Sequence, residues 1–361
     1  MTLVACLKQN VASGLVADAL ITTKKRGDPI QNMPMLDGKL MPMYADGQNY
    51  TVVDLRRKIV FISPKLVVGW SGPAKQAADI INKMKKYFFG GEKIDDIIHF
   101  LNSIASEDSK KVSLLGINIE NNIPKVFGFG QYRSCNTRDY SIYAIGGGAK
   151  SGINVTQNMG YSLANNTKEN TPIDILCCSY LGSLLLKEFE TLKSISELYG
   201  GAYEMVCPIK EGSEIVLKGS SEITHLICFF DKNIGHPYFP VIFKQWYHDN
   251  NLIVTRICPQ NTEINGMLRF TEGYRHFVCP SILSGKEDLQ DTINNLSYLP
   301  DMYSMYINLY GFGVNNYNGM IVNKNSDQFH FDHSNLDKNN KLLNVWIHKE
   351  KTKQLQEILS N

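Results

Sequence analysis

Thr2-Leu-Val-Ala-Cys-Leu-Lys-Gln-Asn-Val-Ala-Ser-Gly-Leu-Val-Ala-Asp18 is the stretch that decides how the chain reads. Two short apolar runs flank the turn-prone Gln9-Asn10, the pattern of a β-hairpin whose strands are buried on at least one face. A hydroxyl-bearing residue therefore heads a buried strand. Removal of Met1, usual before a small residue, leaves Thr2 with a free α-amine beside its own hydroxyl. Such an amine titrates at roughly pH 8, so part of it is unprotonated at neutrality. It can accept the hydroxyl proton, which makes the threonine both nucleophile and base.

Outward from the hairpin the chain changes character several times. Residues 23–54 are rich in Gly, Pro, Asp and Met and read as an inserted loop. Strand patterns resume at Lys58-Ile-Val-Phe-Ile and Lys65-Leu-Val-Val-Gly. Pro73 opens a helix whose apolar stripe is Ala74, Ala77, Ala78, Ile81, Met84 and Phe88. A second helix fits 94–104. Paired strands surround Glu120-Asn-Asn, and Tyr140–Ile145 is a further strand ending in Gly146-Gly-Gly. Helices over 149–164 and 172–198 and strands near 202–208, 214–218 and 223–230 follow. Strands, two helices, strands, two helices, strands is the order of an α+β fold with two stacked sheets and helices outside them. The expected organisation is one domain over 2–230 and a C-terminal extension over 231–361, closing in a helix at Lys349–Leu359.

Composition narrows the function classes. Of 361 residues 43% are hydrophobic and 20% charged, the balance of a globular chain. The net charge of +2 supplies no global attraction to nucleic acid or to a membrane surface. No apolar run approaches the roughly 20 residues that cross a bilayer, and no secretory leader is recognisable. The eight cysteines form no Cys-x-x-Cys pair and several sit in apolar runs, so free thiols in a reducing, cytoplasmic setting are expected. His330-Phe-Asp332-His333 offers two ligands on one strand face, too few for zinc. No metal or other cofactor is expected.

The ordered set of motifs resembles the proteasome β-subunit family of N-terminal-nucleophile hydrolases and its bacterial relatives. The matching features are Thr2, Leu15-Val-Ala-Asp18 sixteen positions on, and Lys58-Ile-Val-Phe-Ile-Ser-Pro-Lys-Leu-Val-Val-Gly-Trp-Ser-Gly72, spanning fourteen. Tyr143-Ala-Ile-Gly-Gly-Gly and Tyr199-Gly-Gly resemble the family's later glycine turns. The resemblance covers about residues 2–230 and implies a four-layer αββα sandwich. It implies Thr2, Asp18 and Lys58 as catalytic residues, Gly72 as the oxyanion amide, and Trp70, Thr22 and Gly147 in the substrate pocket. Peptide or amide bonds are the implied substrates, and a homo-oligomer is a possible state.

Alternatives stand beside each role. Asp18 also suits a strand-end turn, Lys58 a solvated basic run, Gly72 an ordinary residue before a helix, and Trp70 simple core packing. Lys39 in the insertion is a second candidate for the lysine. The family's supporting serine, aspartate and serine align with Gly147, Ser196 and Tyr199, and Glu197 stands one position out of register. These departures leave two further readings open, a catalytically silent scaffold and a small-molecule amidase.

Overall fold

The computed structural model describes residues 2–24, 33–34, 50–105, 111–137, 140–155, 172–191, 193–219, 223–231, 236–257, 261–263, 267–269, 274–285, 291, 306–312, 317–323, 329–332, 336–337, 340–341 and 344–347. It is a mixed α+β protein, mostly sheet. The chain divides into two compact units, one of residues 1–220 and 279–286, the other of 221–278 and 287–361. The division falls earlier than the strand pattern suggested. The strand over 223–231 joins the second unit, and residues 279–286 return to the first.

In the first unit the opening hairpin pairs β1 (Val4–Gln9) with β2 (Ala12–Asp18), in register from Gln9↔Ala12 to Val4↔Ala17. Asn10 takes φ 51° at the turn, a conformation Asn tolerates better than most residues. Beyond a single residue, Leu20–Thr23 forms β3. The expected loop over 23–54 is corrected at its far end: Thr51–Leu55 is a strand, β4, antiparallel to β3. Lys39 lies outside the described residues.

A four-stranded antiparallel meander follows, made of β5 (Ile59–Ser63), β6 (Leu66–Ser71), β7 (Ser113–Glu120) and β8 (Ile123–Phe129). Asn121 and Asn122 both have positive φ between β7 and β8, the backbone of a two-residue turn that matches strand twist. Between β6 and β7 run α1 (Ala74–Tyr87) and α2 (Ile94–Ser103). Ala77, Ile80, Ile81 and Met84 of α1 and Ile97 and Leu101 of α2 pack with Val60, Val68, Trp70 and Leu114 of the sheet. Apolar burial of this kind contributes on the order of 2 kcal/mol per large side chain.

The other sheet of this unit adds β9 (Arg133–Asn136), β10 (Ser141–Ile145), β11 (Tyr203–Glu211) and β12 (Glu214–Gly219) to the hairpin, in the order β12-β11-β2-β1-β10-β9. The hairpin is thus central, which is why its strands are apolar on both faces. One face shares a core with the meander through Val4, Cys6, Leu15, Ala17, Ile59, Val67, Leu115 and Ile117. The other is covered by a long helix. The expected 172–198 helix is described over α4 (Ile173–Thr191) and α5 (Lys193–Ser196), and α3 over 149–155 of the expected 149–164. Gly14 lets α4 approach, because an added Cβ would strike the Cys177 sulfur.

The second unit is β-rich where the sequence showed weak periodicity. A six-stranded sheet carries β13 (Ile223–Asp231), β14 (His236–His248) and β15 (Asn251–Ile257), with parallel pairing of β13 to the strand Tyr306–Phe312. Leu226, Ile227, Ile242, Phe243, Leu252 and Ile253 are buried in it. His330 and Asp332 fall on the strand Phe329–Asp332, while His333 and the expected helix at 349–359 lie outside the described residues. Among the described residues no cluster of His, Cys, Asp or Glu suits a metal ion, and no helix is long and apolar enough to cross a membrane. Cys6, Cys135, Cys177, Cys178, Cys207 and Cys279 form no disulfide.

Candidate active site

Strand pairing alone brings the head of β1 beside the end of β2, because Val4 opposes Ala17 and the Asp18 amide donates to the Leu3 carbonyl at 3.0 Å. Lys58, the residue before β5, arrives from the meander. Its Nζ donates to Thr2 Oγ1 at 2.6 Å and to the Leu20 carbonyl at 2.7 Å, and stands 3.5 Å from Asp18 Oδ1. Three acceptors around one nitrogen match the three donors of an ammonium group. The Trp70 ring lies beside it, 5.3 Å from Nζ to centroid, within reach of a cation–π attraction. Thr2, Asp18 and Lys58 are all buried, Lys58 and Asp18 at 0% exposure, so solvent does not screen the pair.

Asp18 is held by backbone amides. Oδ1 accepts from Leu3 N at 2.9 Å, and Oδ2 from Leu20 N at 3.2 Å and Gly200 N at 3.0 Å. Burial pushes its carboxyl upward, and the Lys58 ammonium and the Leu3 and Gly200 amides oppose that push. Lys58 mirrors it: burial pulls the amine down, and Asp18 and then Glu204 resist.

Thr2's main chain is clamped by the glycine turn after β10. Gly148 N donates to the Thr2 carbonyl at 3.1 Å. Gly146 has φ +93°, and a Cβ there would collide with that same carbonyl oxygen, so only glycine fits.

The other expected residues are placed as follows. Gly72 follows β6 with φ +110°, two residues beyond Trp70, whose amide donates to the Lys58 carbonyl at 3.1 Å. Trp70 is 1% exposed, packs under α1, and its Nε1 donates to the Arg57 carbonyl at 3.4 Å, the core-packing alternative for this residue. A cavity of about 680 Å³ opens beside Gly146 and Gly147. Gly147 lines it, whereas Thr22 and Trp70 do not. Thr22 sits half-buried on β3, after a register shift. Ser196 ends α5. The Tyr199 hydroxyl is 3.0 Å from Ser151 Oγ and 3.4 Å from Lys187 Nζ, and Glu197 pairs with the same lysine at 3.4 Å.

Sequence reasoning missed two buried acids. Glu204 on β11 accepts from Lys58 N at 2.9 Å and Ile59 N at 2.8 Å, and pairs with Arg57 Nε at 2.9 Å. Glu188 on α4 accepts from Gly201 N at 3.0 Å and from Tyr203 Oη at 2.8 Å. Burial raises Glu188 to about 7. Each was detectable as a lone acid in an apolar run, Leu184-Leu-Leu-Lys-Glu188 and Ala202-Tyr-Glu204-Met-Val.

No protein-family model matches the chain, and no curated protein matches it in sequence. The geometry itself provides a buried hydroxyl polarised by an ammonium group that a fixed carboxylate holds in place.

Proposed function

We propose that the chain is an N-terminal threonine hydrolase of peptide or amide bonds, built as a four-layer αββα sandwich of the N-terminal-nucleophile type. What carries this reading is the 2.6 Å hydrogen bond from Lys58 Nζ to Thr2 Oγ1, with Asp18 behind the lysine. Helices on the outer faces of two sheets that share a core are in keeping with it.

Cleavage of the Met1–Thr2 bond frees the Thr2 amine. That amine takes the hydroxyl proton as Oγ1 attacks the substrate carbonyl carbon. Lys58 stabilises the charge that develops on Oγ1, and the Gly72 amide is assigned to the carbonyl oxygen. The tetrahedral intermediate collapses, the carbon–nitrogen bond breaks, and the amine proton goes to the leaving nitrogen. Water, deprotonated by the same amine, then hydrolyses the acyl ester on Thr2 and regenerates the hydroxyl.

A peptide epoxyketone tests this, because its adduct needs an amine and a hydroxyl on one residue. Intact-mass and fragment spectra are expected to show Met1 removed and one adduct on Thr2, with none on Thr2→Ala. Met1 retained on folded protein, with no adduct, would overturn the proposal. A silent scaffold is the second reading. It is favoured by the Tyr199 hydroxyl turning toward Ser151 and Lys187, and it predicts processing at Met1 without labelling.

A further inference from the structure

The cavity beside the glycine turn has a character the catalytic residues do not explain. Its volume of about 680 Å³ lies within the range of small-ligand sites, roughly 300–1,000 Å³. Four segments wall it: Ser71 at the end of β6, Lys111 and Ser113 entering β7, the Gly130–Tyr132 connection with Arg133 at the head of β9, and Ala144 to Ala149 around the glycine turn.

Two of these walls touch the reacting centre. Gly146 lines the cavity and abuts Thr2, with a built Cβ only 3.2 Å from the Thr2 Cβ. Ser71 immediately precedes Gly72. A substrate held against Thr2 with its carbonyl toward Gly72 therefore has this space as its continuation.

The charge of the walls is one-sided. Lys111 and Arg133 line the cavity, and no Asp or Glu does among the described residues. Both cations are exposed, and neither has a salt bridge among the described residues. Ser113 Oγ at the same wall accepts from Gln131 N at 3.1 Å, which ties the Gly130–Tyr132 connection to β7. Tyr132 adds an aromatic surface, 54% exposed. Two cationic residues and an aromatic residue lining one cavity, with no acid beside them among the described residues, suit a carboxylate on a short chain.

We infer that this cavity binds acidic peptides, placing a carboxylate side chain near the scissile bond between Lys111 and Arg133. The inference rests on the threonine reading for the cleavage step alone, since binding needs no reaction.

The test uses two fluorescein-tagged, otherwise identical peptides carrying Glu or Gln at one position, and polarisation binding to the full chain as Thr2→Ala. Exposed ion pairs are screened and modest, so the Glu peptide is expected to bind roughly 3- to 10-fold more tightly at low salt. That preference should fade as salt shortens the screening length. The double substitution Lys111→Gln and Arg133→Gln, made on exposed residues, should bring the ratio to about one with thermal melting unchanged. Equal binding of the two peptides to the parent, or a preference that survives the double substitution, overturns the inference.

Cleavage by the chain with Thr2 intact separates the two proposals. A Glu preference in binding without turnover of either peptide keeps the acidic site and removes the threonine hydrolase. Equal turnover of both peptides with no binding preference does the reverse.

Discussion

Two buried cation–carboxylate pairs lie on consecutive residues, and they differ in what the cation faces. Arg57 pairs with Glu204 at 2.9 Å, with side chains 3% and 1% exposed. Glu204 also receives the amides of Lys58 and Ile59, so this cluster fastens the start of β5 to β11. Lys58 pairs with Asp18 at 3.5 Å, and Asp18 is likewise tied to backbone amides. One of the Lys58 hydrogens, however, goes to a hydroxyl rather than to a carbonyl or a carboxylate. Burying either pair has a desolvation cost that mutual attraction only partly offsets. In the arginine pair the return is architecture. In the lysine pair it is a polarised oxygen.

Exchanging the cation where it faces the hydroxyl should have the largest effect. Lys58→Arg keeps the charge near Asp18, but the planar guanidinium cannot put a single compact donor on Thr2 Oγ1. Loss of a donor aimed at developing charge lowers rates by roughly 10²–10³, so turnover of a fluorogenic peptide should fall at least that far. Activity within a few-fold of the parent would erase the distinction between the pairs.

Breaking the other pair should act on stability instead. Glu204→Gln leaves Arg57 buried without its carboxylate, a change that costs about 3–5 kcal/mol, and denaturant unfolding should show it. The protein that remains folded at low temperature should hydrolyse peptide within a few-fold of the parent. A collapse in turnover without a loss of stability would mean that Glu204, and not Asp18, governs the lysine.

The two pairs were not equally legible. Thr2 and Asp18 sit on one hairpin, so their convergence follows from local pairing, and their spacing to Lys58 and Gly72 was carried by the family resemblance. The Asn121-Asn122 turn and the α1 stripe were readable because both are short-range patterns. Glu204 and Glu188 act on partners remote in the chain or through backbone amides, and no local pattern marks a lone acid as an acceptor for them. Strand β4 was hidden because it is only five residues long and follows a Gly- and Asp-rich stretch, and its pairing with β3 comes from tertiary structure. Trp70 stayed ambiguous between pocket and core for a related reason: position in a motif says nothing of which face of β6 an indole covers. The division at 220 was not legible because β13, apolar like the strands before it, pairs with a strand more than 70 residues later.

Glu188 extends the comparison to pH. Its carboxyl is raised from 4.5 to about 7, first by burial and then by Asp18, against the Tyr203 hydroxyl and the Gly201 amide. Between those values the folded state holds a proton that the unfolded chain has released. Stability is therefore fully present below about 4.5 and declines as pH rises to about 7, by roughly 3 kcal/mol in all. Asp18, also raised by burial, acts in the same sense in parent and variant, so their difference isolates Glu188. Glu188→Gln should flatten the stability–pH curve across that window in denaturant titrations, and parallel curves would contradict the assignment.

The smallest effect should come from Tyr199, which aligns with a residue that supports the terminal amine in the resembling family. Here its hydroxyl reaches Ser151 and Lys187, and its ring packs where a Cβ on Gly148 would touch it. Tyr199→Phe keeps that ring and removes only the hydroxyl. One lost hydrogen bond in a half-wet cluster costs about 1 kcal/mol, and Lys187 retains Glu197. Turnover and its pH profile should not change, because no atom of this cluster reaches Thr2 through a described hydrogen bond. A shift in the pH profile of Tyr199→Phe would instead tie the cluster to the amine, and would move the functional boundary from the Lys58–Asp18 pair out to α4.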